Sequence, residues 1–125
     1  MGILQEGIAF EGNTLYVYGK QVKFEFPIYE GIVADNIIWV QEDIPTTTFK
    51  IDNAYGVSMQ GEILMRIKPP TREIYEGTSY DERMPYVGIG LSREGYYTLY
   101  DFAGMRFIFD PKTGEIVGRL PSNRF

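Results

Sequence analysis

The chain has 125 residues with no cysteine and no histidine, and its 12 Lys+Arg against 17 Asp+Glu give a formal charge of −5 at pH 7. Without these residue types it can form no disulfide, no zinc site built on Cys or His, and no Ser-His-Asp or Cys-His catalytic group. The length predicts a single domain over residues 1–125, and a hydrophobic content of 44% is enough for a core.

The distribution of charge and apolar residues makes several partners and locations improbable. Lys and Arg are scattered with no basic stripe, so we expect no nucleic-acid partner. The start, Met1–Glu6, lacks the basic and apolar regions of a signal peptide. No apolar run approaches the ~20 residues that span a bilayer. We therefore expect a cytoplasmic protein without membrane contact.

Short apolar runs broken by Gly, Pro, Asp and Asn predict many short strands and little or no helix. Residues 22–26 alternate, with Val22, Phe24 and Phe26 on one side and the charged Lys23 and Glu25 on the other, which indicates a half-buried strand. In chain order, the predicted strand pairs are 15–18 and 22–26 around 19–21, 31–34 and 37–40 around 35–36, 54–58 and 62–67 around 59–61, 86–91 and 96–102 around 93–95, and 105–109 and 115–120 around 110–114.

Two segments do not fit this succession of hairpins. Residues 42–50 are a polar connection in which Glu42 and Asp43 are interpreted as solvated loop charges. Residues 68–85 are a long segment without clear periodicity, rich in Tyr and acidic side chains. Loops of that length are uncommon in compact domains and are often functional, so this segment is the first candidate for a binding loop.

The pattern as a whole predicts an all-β fold. We expect an antiparallel meander of about eight to ten short strands, arranged as a sandwich, an open barrel or a partial propeller. In the strand at 96–102, alternation predicts that Tyr96, Thr98 and Tyr100 share one face and that Tyr97 and Leu99 share the other. The single tryptophan, Trp39, is expected in the core.

Three strand–turn–strand stretches begin at residues 13, 53 and 96, which lie 40 and 43 residues apart. Such a period in an all-β sequence is typical of propeller blades. The stretch 53–67 resembles the quinoprotein-like propeller repeat, and 107–119 is similar to the end of such a blade, except that Gly118 stands where that family usually has Trp. The resemblance implies blade-like sheets. Because closure needs roughly four to eight blades, it also implies either a ring of several chains or one open sheet assembly.

Chemistry-bearing groups are few. The adjacent pairs Glu42-Asp43 and Asp81-Glu82 point to opposite sides of an extended chain and make no catalytic dyad. Gly88 and Gly90 lie in a predicted strand, where a bulge or close packing explains them better than a phosphate loop. We therefore predict no catalytic, metal or cofactor site and no enzymatic activity.

Composition favours a protein-binding module. The small acidic chain resembles immunity-type proteins, which implies an inhibitor that neutralises a basic toxin or enzyme partner. The alternative is a β domain that binds a small molecule or carbohydrate with surface aromatics. A third option is an enzyme that uses only carboxylates and tyrosines, and a fourth is a homo-oligomer in which the chain assembles into a ring through its sheet edges. The predicted partner-binding residues are Tyr75, Glu76, Tyr80, Asp81, Glu82, Arg83, Tyr86, Tyr96 and Tyr100.

Overall fold

The computed structural model describes residues 1–45, 50, 52–71, 74, 85–101 and 104–120. Every element with bounds in these ranges is a β-strand, and the strands pair antiparallel. The twelve strands of the described ranges are β1 (Gly2–Gln5), β2 (Ile8–Glu11), β3 (Thr14–Val17), β4 (Lys20–Lys23), β5 (Ile28–Ala34), β6 (Ile37–Glu42), β7 (Ala54–Ser58), β8 (Ile63–Arg66), β9 (Tyr86–Leu91), β10 (Tyr97–Asp101), β11 (Arg106–Phe109) and β12 (Ile116–Leu120).

The strands form three four-stranded meanders in chain order: sheet I (β1–β4), sheet II (β5–β8) and sheet III (β9–β12). In the part of the chain that is described, no sheet pairs its first strand with its last, so all three are open. The all-β antiparallel prediction is confirmed. The strand count exceeds the expected eight to ten because β1 and β2, which lack clear alternation, were not predicted.

Sheet II lies in the middle, and its central strands β6 and β7 are buried on both faces, which explains why they are nearly continuous apolar runs. One core cluster fills the space between sheets I and II and includes Leu15, Ile38 and Val57. The second lies between sheets II and III and includes Trp39 and Phe107. The prediction that Trp39 is a core residue is confirmed.

The three sheets converge at their first strands. Among the strand pairs in the described ranges, the main close approaches of backbone between sheets are β1 with β5, and β5 and β6 with β9. At these points Leu4 lies against Gly31, and a Glu30 carboxylate oxygen accepts a 2.7 Å hydrogen bond from the Ile89 amide. Because the later strands are held apart by the two cores, the sheets are arranged as a fan.

Sheets II and III are copies of one structural unit. Each has a bulge at the second residue of its first strand, Tyr29 and Val87, and another at the second residue of its fourth strand, Leu64 and Val117. The register between these bulges also agrees, so that the buried acidic residue ending the second strand is Glu42 in sheet II and Asp101 in sheet III. Bulges bend and twist a strand at a defined point, so shared positions give both sheets the same shape.

Two hairpins turn through two residues with positive φ. Asp35 (φ 53°) and Asn36 (φ 61°) connect β5 to β6 at the predicted position, and Tyr18 (φ 47°) and Gly19 (φ 87°) connect β3 to β4. Positive φ at both positions matches the twist of the flanking strands. The second turn was predicted at 19–21. It falls one residue earlier because β4 begins at Lys20.

The three similar stretches of sequence occupy different places in their sheets. Those that begin at residues 13 and 53 form the third and fourth strands of sheets I and II. The one that begins at residue 96 forms the second and third strands of sheet III. The unit that the structure repeats is therefore a whole four-stranded meander.

Candidate partner-binding surface

The most polar part of the interior surrounds Glu42, the last residue of β6. Its side chain is fully buried, so the interpretation of Glu42 as a solvated loop charge is wrong. One carboxylate oxygen lies 2.7 Å from Lys50 Nζ and 3.1 Å from the Tyr55 hydroxyl. The other accepts a 3.0 Å hydrogen bond from the Phe26 amide. Both oxygens are satisfied, as a buried carboxylate requires.

Two cations flank the Tyr55 ring in this cluster. The Tyr55 hydroxyl accepts hydrogen bonds from Lys50 Nζ at 2.7 Å and from an Arg66 guanidinium nitrogen at 3.1 Å. The Lys50 nitrogen lies 5.3 Å from the centroid of the Tyr55 ring, and the Arg66 guanidinium carbon lies 5.1 Å from it. Arg66 also pairs with Asp52 at 3.1 Å, and Lys50 with the exposed Glu25 at 3.2 Å.

The surroundings of Lys50 and Tyr55 keep both side chains protonated. Burial opposes the charge of Lys50, but hydrogen bonds to Glu42 and Tyr55 outweigh it and raise the Lys50 pKa above its ordinary value. Burial raises the Tyr55 pKa, although the Lys50 hydrogen bond counteracts part of this effect. An ammonium and a phenol that hold their protons more tightly than usual are poor general bases. The cluster ties the residue 50 connection to sheet II.

Asn53 joins sheets II and III and had no distinguishing signal in the sequence. Its amide nitrogen donates to the carbonyls of Glu42 and Tyr86, both at 2.8 Å. Its carbonyl oxygen accepts the Tyr86 amide at 2.9 Å. An Asn that pairs with the backbone across 33 residues can be recognised only when the fold is known.

The predicted partner-binding residues fall into three groups. Those at 75–83 (Tyr75, Glu76, Tyr80, Asp81, Glu82 and Arg83) lie outside the described residues. Tyr86 is 1% exposed, and its hydroxyl donates to the Lys68 carbonyl at 3.0 Å, so its side chain belongs to the core. Tyr96 and Tyr100 are 47% and 38% exposed. Of the described candidates, only these two share a surface.

That surface is the outer face of sheet III, which we call the tyrosine face. It consists of two cross-strand rows, Gly88–Tyr100–Arg106–Leu120 and Gly90–Thr98–Ile108–Gly118, with Tyr96 just before β10. The predicted alternation is confirmed, because Tyr97 and Leu99 point into the core and are buried. Thr98 lies in the middle of the face, is buried, and donates to the Gly90 carbonyl at 3.2 Å.

Two glycines on the tyrosine face have no reason to be glycine within the described structure. Neither Gly90 nor Gly118 has a positive φ. Among the described residues, a Cβ at Gly90 would meet nothing nearer than Thr98 Oγ1 at 3.8 Å, and one at Gly118 nothing nearer than Ile108 Cδ1 at 4.0 Å. Glycine inside a strand costs about 0.5–1 kcal/mol relative to alanine. Unforced glycines in strands are typical of places where another backbone or ligand approaches closely.

The one charged side chain in these two rows is Arg106, which stacks on Tyr100. Its guanidinium carbon lies 5.4 Å from the centroid of the Tyr100 ring. Arg106 Nε is buried and has no acceptor within the described structure. Tyr and Arg are the residue types that most often dominate binding energy at protein interfaces. The tyrosine face therefore combines a stacked Tyr–Arg pair with two glycines that leave room at either end of one row.

Sheets II and III are also linked at the Asp35–Asn36 turn. The Tyr97 hydroxyl donates to the Asp35 carboxylate. Burial of the phenol, together with this hydrogen bond to Asp35, raises the pKa of Tyr97 to about 12. This hydrogen bond ties the Asp35–Asn36 turn of sheet II to the start of β10 in sheet III, the sheet that carries the tyrosine face.

The geometry defines an all-β domain of three face-packed meanders, and a comparison places it in a family. A family model described as a domain of unknown function, DUF7957, matches residues 6–119, so the chain belongs to that family. No curated protein and no solved structure gives a significant match. Within the described ranges, no group of three or more acidic, His or Cys side chains is placed to bind a metal ion. Nor does any helix there have the length and hydropathy to cross a bilayer.

Proposed function

We propose that this protein is a non-catalytic protein-binding module and that the tyrosine face is a partner surface. The observation that carries the proposal is the combination on one sheet of exposed Tyr96 and Tyr100, the Arg106 guanidinium stacked on Tyr100, and two unforced glycines. A partner that covers this face gains aromatic contact area from the tyrosines and the stacked guanidinium, and the glycines leave room for close backbone approach.

The state of the buried polar cluster supports a role without catalysis. Glu42 is sealed from solvent, and its oxygens are fully engaged by Lys50, Tyr55 and Phe26. The pKa values of Lys50 and Tyr55 are raised, which keeps both groups protonated. A catalytic acid or base has to reach substrate with a pKa near the working pH. These groups act instead as a clamp between strands.

In its most specific form the module is an immunity-type inhibitor of a basic toxin or enzyme. Residues 27–67 support this form, since they hold six acidic against two basic side chains. Both of those cations, Lys50 and Arg66, are already paired with carboxylates in the chain. The charge left to attract a partner around sheet II is therefore negative, which speeds encounter with a basic protein.

The alternative function, binding of a carbohydrate or small molecule, has less support. A sugar ring would need to stack on an open aromatic face. One face of the Tyr100 ring is already covered by the Arg106 guanidinium. Tyr96 alone offers too little area for a specific site of this kind.

The proposal is tested by native mass spectrometry of the protein isolated from its source cell. The wild type is compared with Tyr100→Ala, with Arg106→Ala and with Tyr29→Ala, a matched control whose side chain is 59% exposed on β5 of sheet II, outside the two rows of the tyrosine face. We expect wild type and control to retain a bound protein chain and both face variants to lose it at least tenfold, an effect of about 1.4 kcal/mol or more. Equal retention by all four proteins would contradict the proposal.

A further inference from the structure

The fan of three sheets ends in two open faces. Sheet I packs on one side of sheet II and sheet III on the other, which leaves the outer face of sheet I and the tyrosine face of sheet III without a sheet against them in the described structure. Sheet II has a neighbouring sheet on each side, whereas sheets I and III each have a neighbour on one side within the described structure.

The repeated unit shows how such a neighbour would be placed. Sheets II and III share register and bulge positions, so a single geometric operation about the strands where the sheets converge takes sheet II onto sheet III. A further sheet added by the same operation would lie on the tyrosine face. Fans of this kind close when about four to eight four-stranded sheets surround one axis. One chain supplies three.

The outer face of sheet I has features that complement the tyrosine face. Its main row is Ile3–Ala9–Tyr16–Gln21, in which Ile3 is 76% exposed and Tyr16 is half-buried. Side chains of this size fit a surface that carries glycine at positions 90 and 118. A second row on the same side, Glu11–Thr14–Lys23, presents the exposed Glu11, whose carboxylate complements the charge of the Arg106 guanidinium, and the exposed Lys23, which adds a cation.

We propose that the tyrosine face is covered by the outer face of sheet I from a second copy of this chain, and that two copies join head to tail twice to close a six-sheet ring. This inference rests on the proposed function, since it names the partner of the same surface. With strands 4.8 Å apart and 3.3 Å per residue, each face spans about 300 Å², and two such contacts bury about 1,200 Å² in total, at the lower end of specific interfaces. The acidic ends of sheet II stay outside both contacts.

The test begins with the mass of the unmodified protein in solution, measured by sedimentation equilibrium over a range of concentrations. We expect a species of twice the 14.4 kDa chain mass. A strict monomer overturns the inference but leaves the proposed function standing if Tyr100→Ala still releases a different protein. Species that grow without limit overturn the closed ring, because a head-to-tail contact that does not close gives filaments.

Variants then identify the two faces. Gly90→Leu fills the tyrosine face and Ile3→Glu charges the outer face of sheet I, while Ile63→Glu on β8 is a matched control, 49% exposed and on neither face. We expect each face variant to be monomeric and the control to stay dimeric. Mixing the two face variants should give a weak, concentration-dependent dimer, because one of the two contacts then joins unmodified faces and buries about 600 Å².

Other patterns overturn the inference in distinguishable ways. If Ile3→Glu stays dimeric while Gly90→Leu does not, the tyrosine face pairs with itself. If all variants stay dimeric, neither face forms the dimer and the inference fails, whereas the proposed function fails only if Tyr100→Ala also releases no other protein. Arg106→Ala, which adds no bulk, gives the same comparison should Gly90→Leu unfold, and circular dichroism of each variant verifies the fold.

Discussion

Removing Lys50 should destabilise the protein by leaving a buried carboxylate without its cation. Lys50→Met keeps the length of the side chain but deletes the ammonium that lies 2.7 Å from both Glu42 Oε1 and the Tyr55 hydroxyl. Glu42 remains fully buried, with only the Phe26 amide and the Tyr55 hydroxyl as donors. Breaking a buried ion pair by removing one partner costs about 3–5 kcal/mol, which is a large part of the 5–15 kcal/mol that stabilises a typical domain.

Urea unfolding measures this loss as a fall in the midpoint of roughly 2 M at unchanged slope. The double variant Glu42→Gln/Lys50→Met should recover at least half of the loss, because the uncharged amide can accept from Phe26 and donate to Tyr55. Lys23→Met is the control, since the exposed Lys23 makes only a 3.2 Å hydrogen bond to Thr14.

In the wild type, the stabilisation by Lys50 depends on pH at the alkaline end of the range. Because the folded pKa of Lys50 lies above its ordinary value of 10.5, the stabilisation is fully present below about pH 10.5 and is lost only as the pH rises further. The reasoning would be refuted if Lys50→Met cost less than about 1 kcal/mol, or if the double variant were no more stable than the single one.

Three further changes test the turn, the phenol and the packing. Asn36→Gly should preserve or raise the unfolding free energy, and Asn36→Val should lower it by about 1–2 kcal/mol, because position 36 has a φ of 61°; equal urea midpoints would contradict this. Tyr97 has a pKa raised to about 12, so its stabilising effect is present below pH 10 and is lost between about pH 10 and 12. Tyr97→Phe should abolish this part of the alkaline loss of stability, which is measured by the absorbance of tyrosinate as the pH rises. Gly56→Ala would place a Cβ 2.8 Å from Trp39 Cζ3 and should lower the unfolding free energy by about 1–3 kcal/mol. Gly90→Ala has room for its Cβ and should not lower it. Trp39 fluorescence during unfolding compares the two variants, and an equal loss of unfolding free energy would disprove the account.

Local patterns were sufficient for ten of the twelve described strands, β3–β12, and for most turns. Period-two alternation predicted which side of β10 faces the core, because side chains on a strand must alternate. The Asp35–Asn36 turn was predictable because few residue types tolerate positive φ at two successive positions. The apolar strand around Trp39 predicted a core position for this residue, and the structure buries it completely.

Other features depended on contacts between residues distant in the chain. Glu42 reads as a loop charge, and only the approach of Lys50, Tyr55 and the Phe26 amide makes its burial affordable. The tyrosine face could not be separated from the buried Tyr86 by composition, since both lie in Tyr-rich strands. What makes Gly90 and Gly118 informative is the empty space above them, which exists only once four strands are in register.

The amino-acid sequence by itself determined the class of fold, the hairpin order and the absence of Cys- and His-based chemistry, because these follow from periodicity and from residue types. Only the tertiary structure decided that the strands divide into three meanders, that sheets II and III repeat one unit, and which polar groups are sealed inside. The physical reason is that strand periodicity specifies which side of a strand is apolar but not which sheet will cover it.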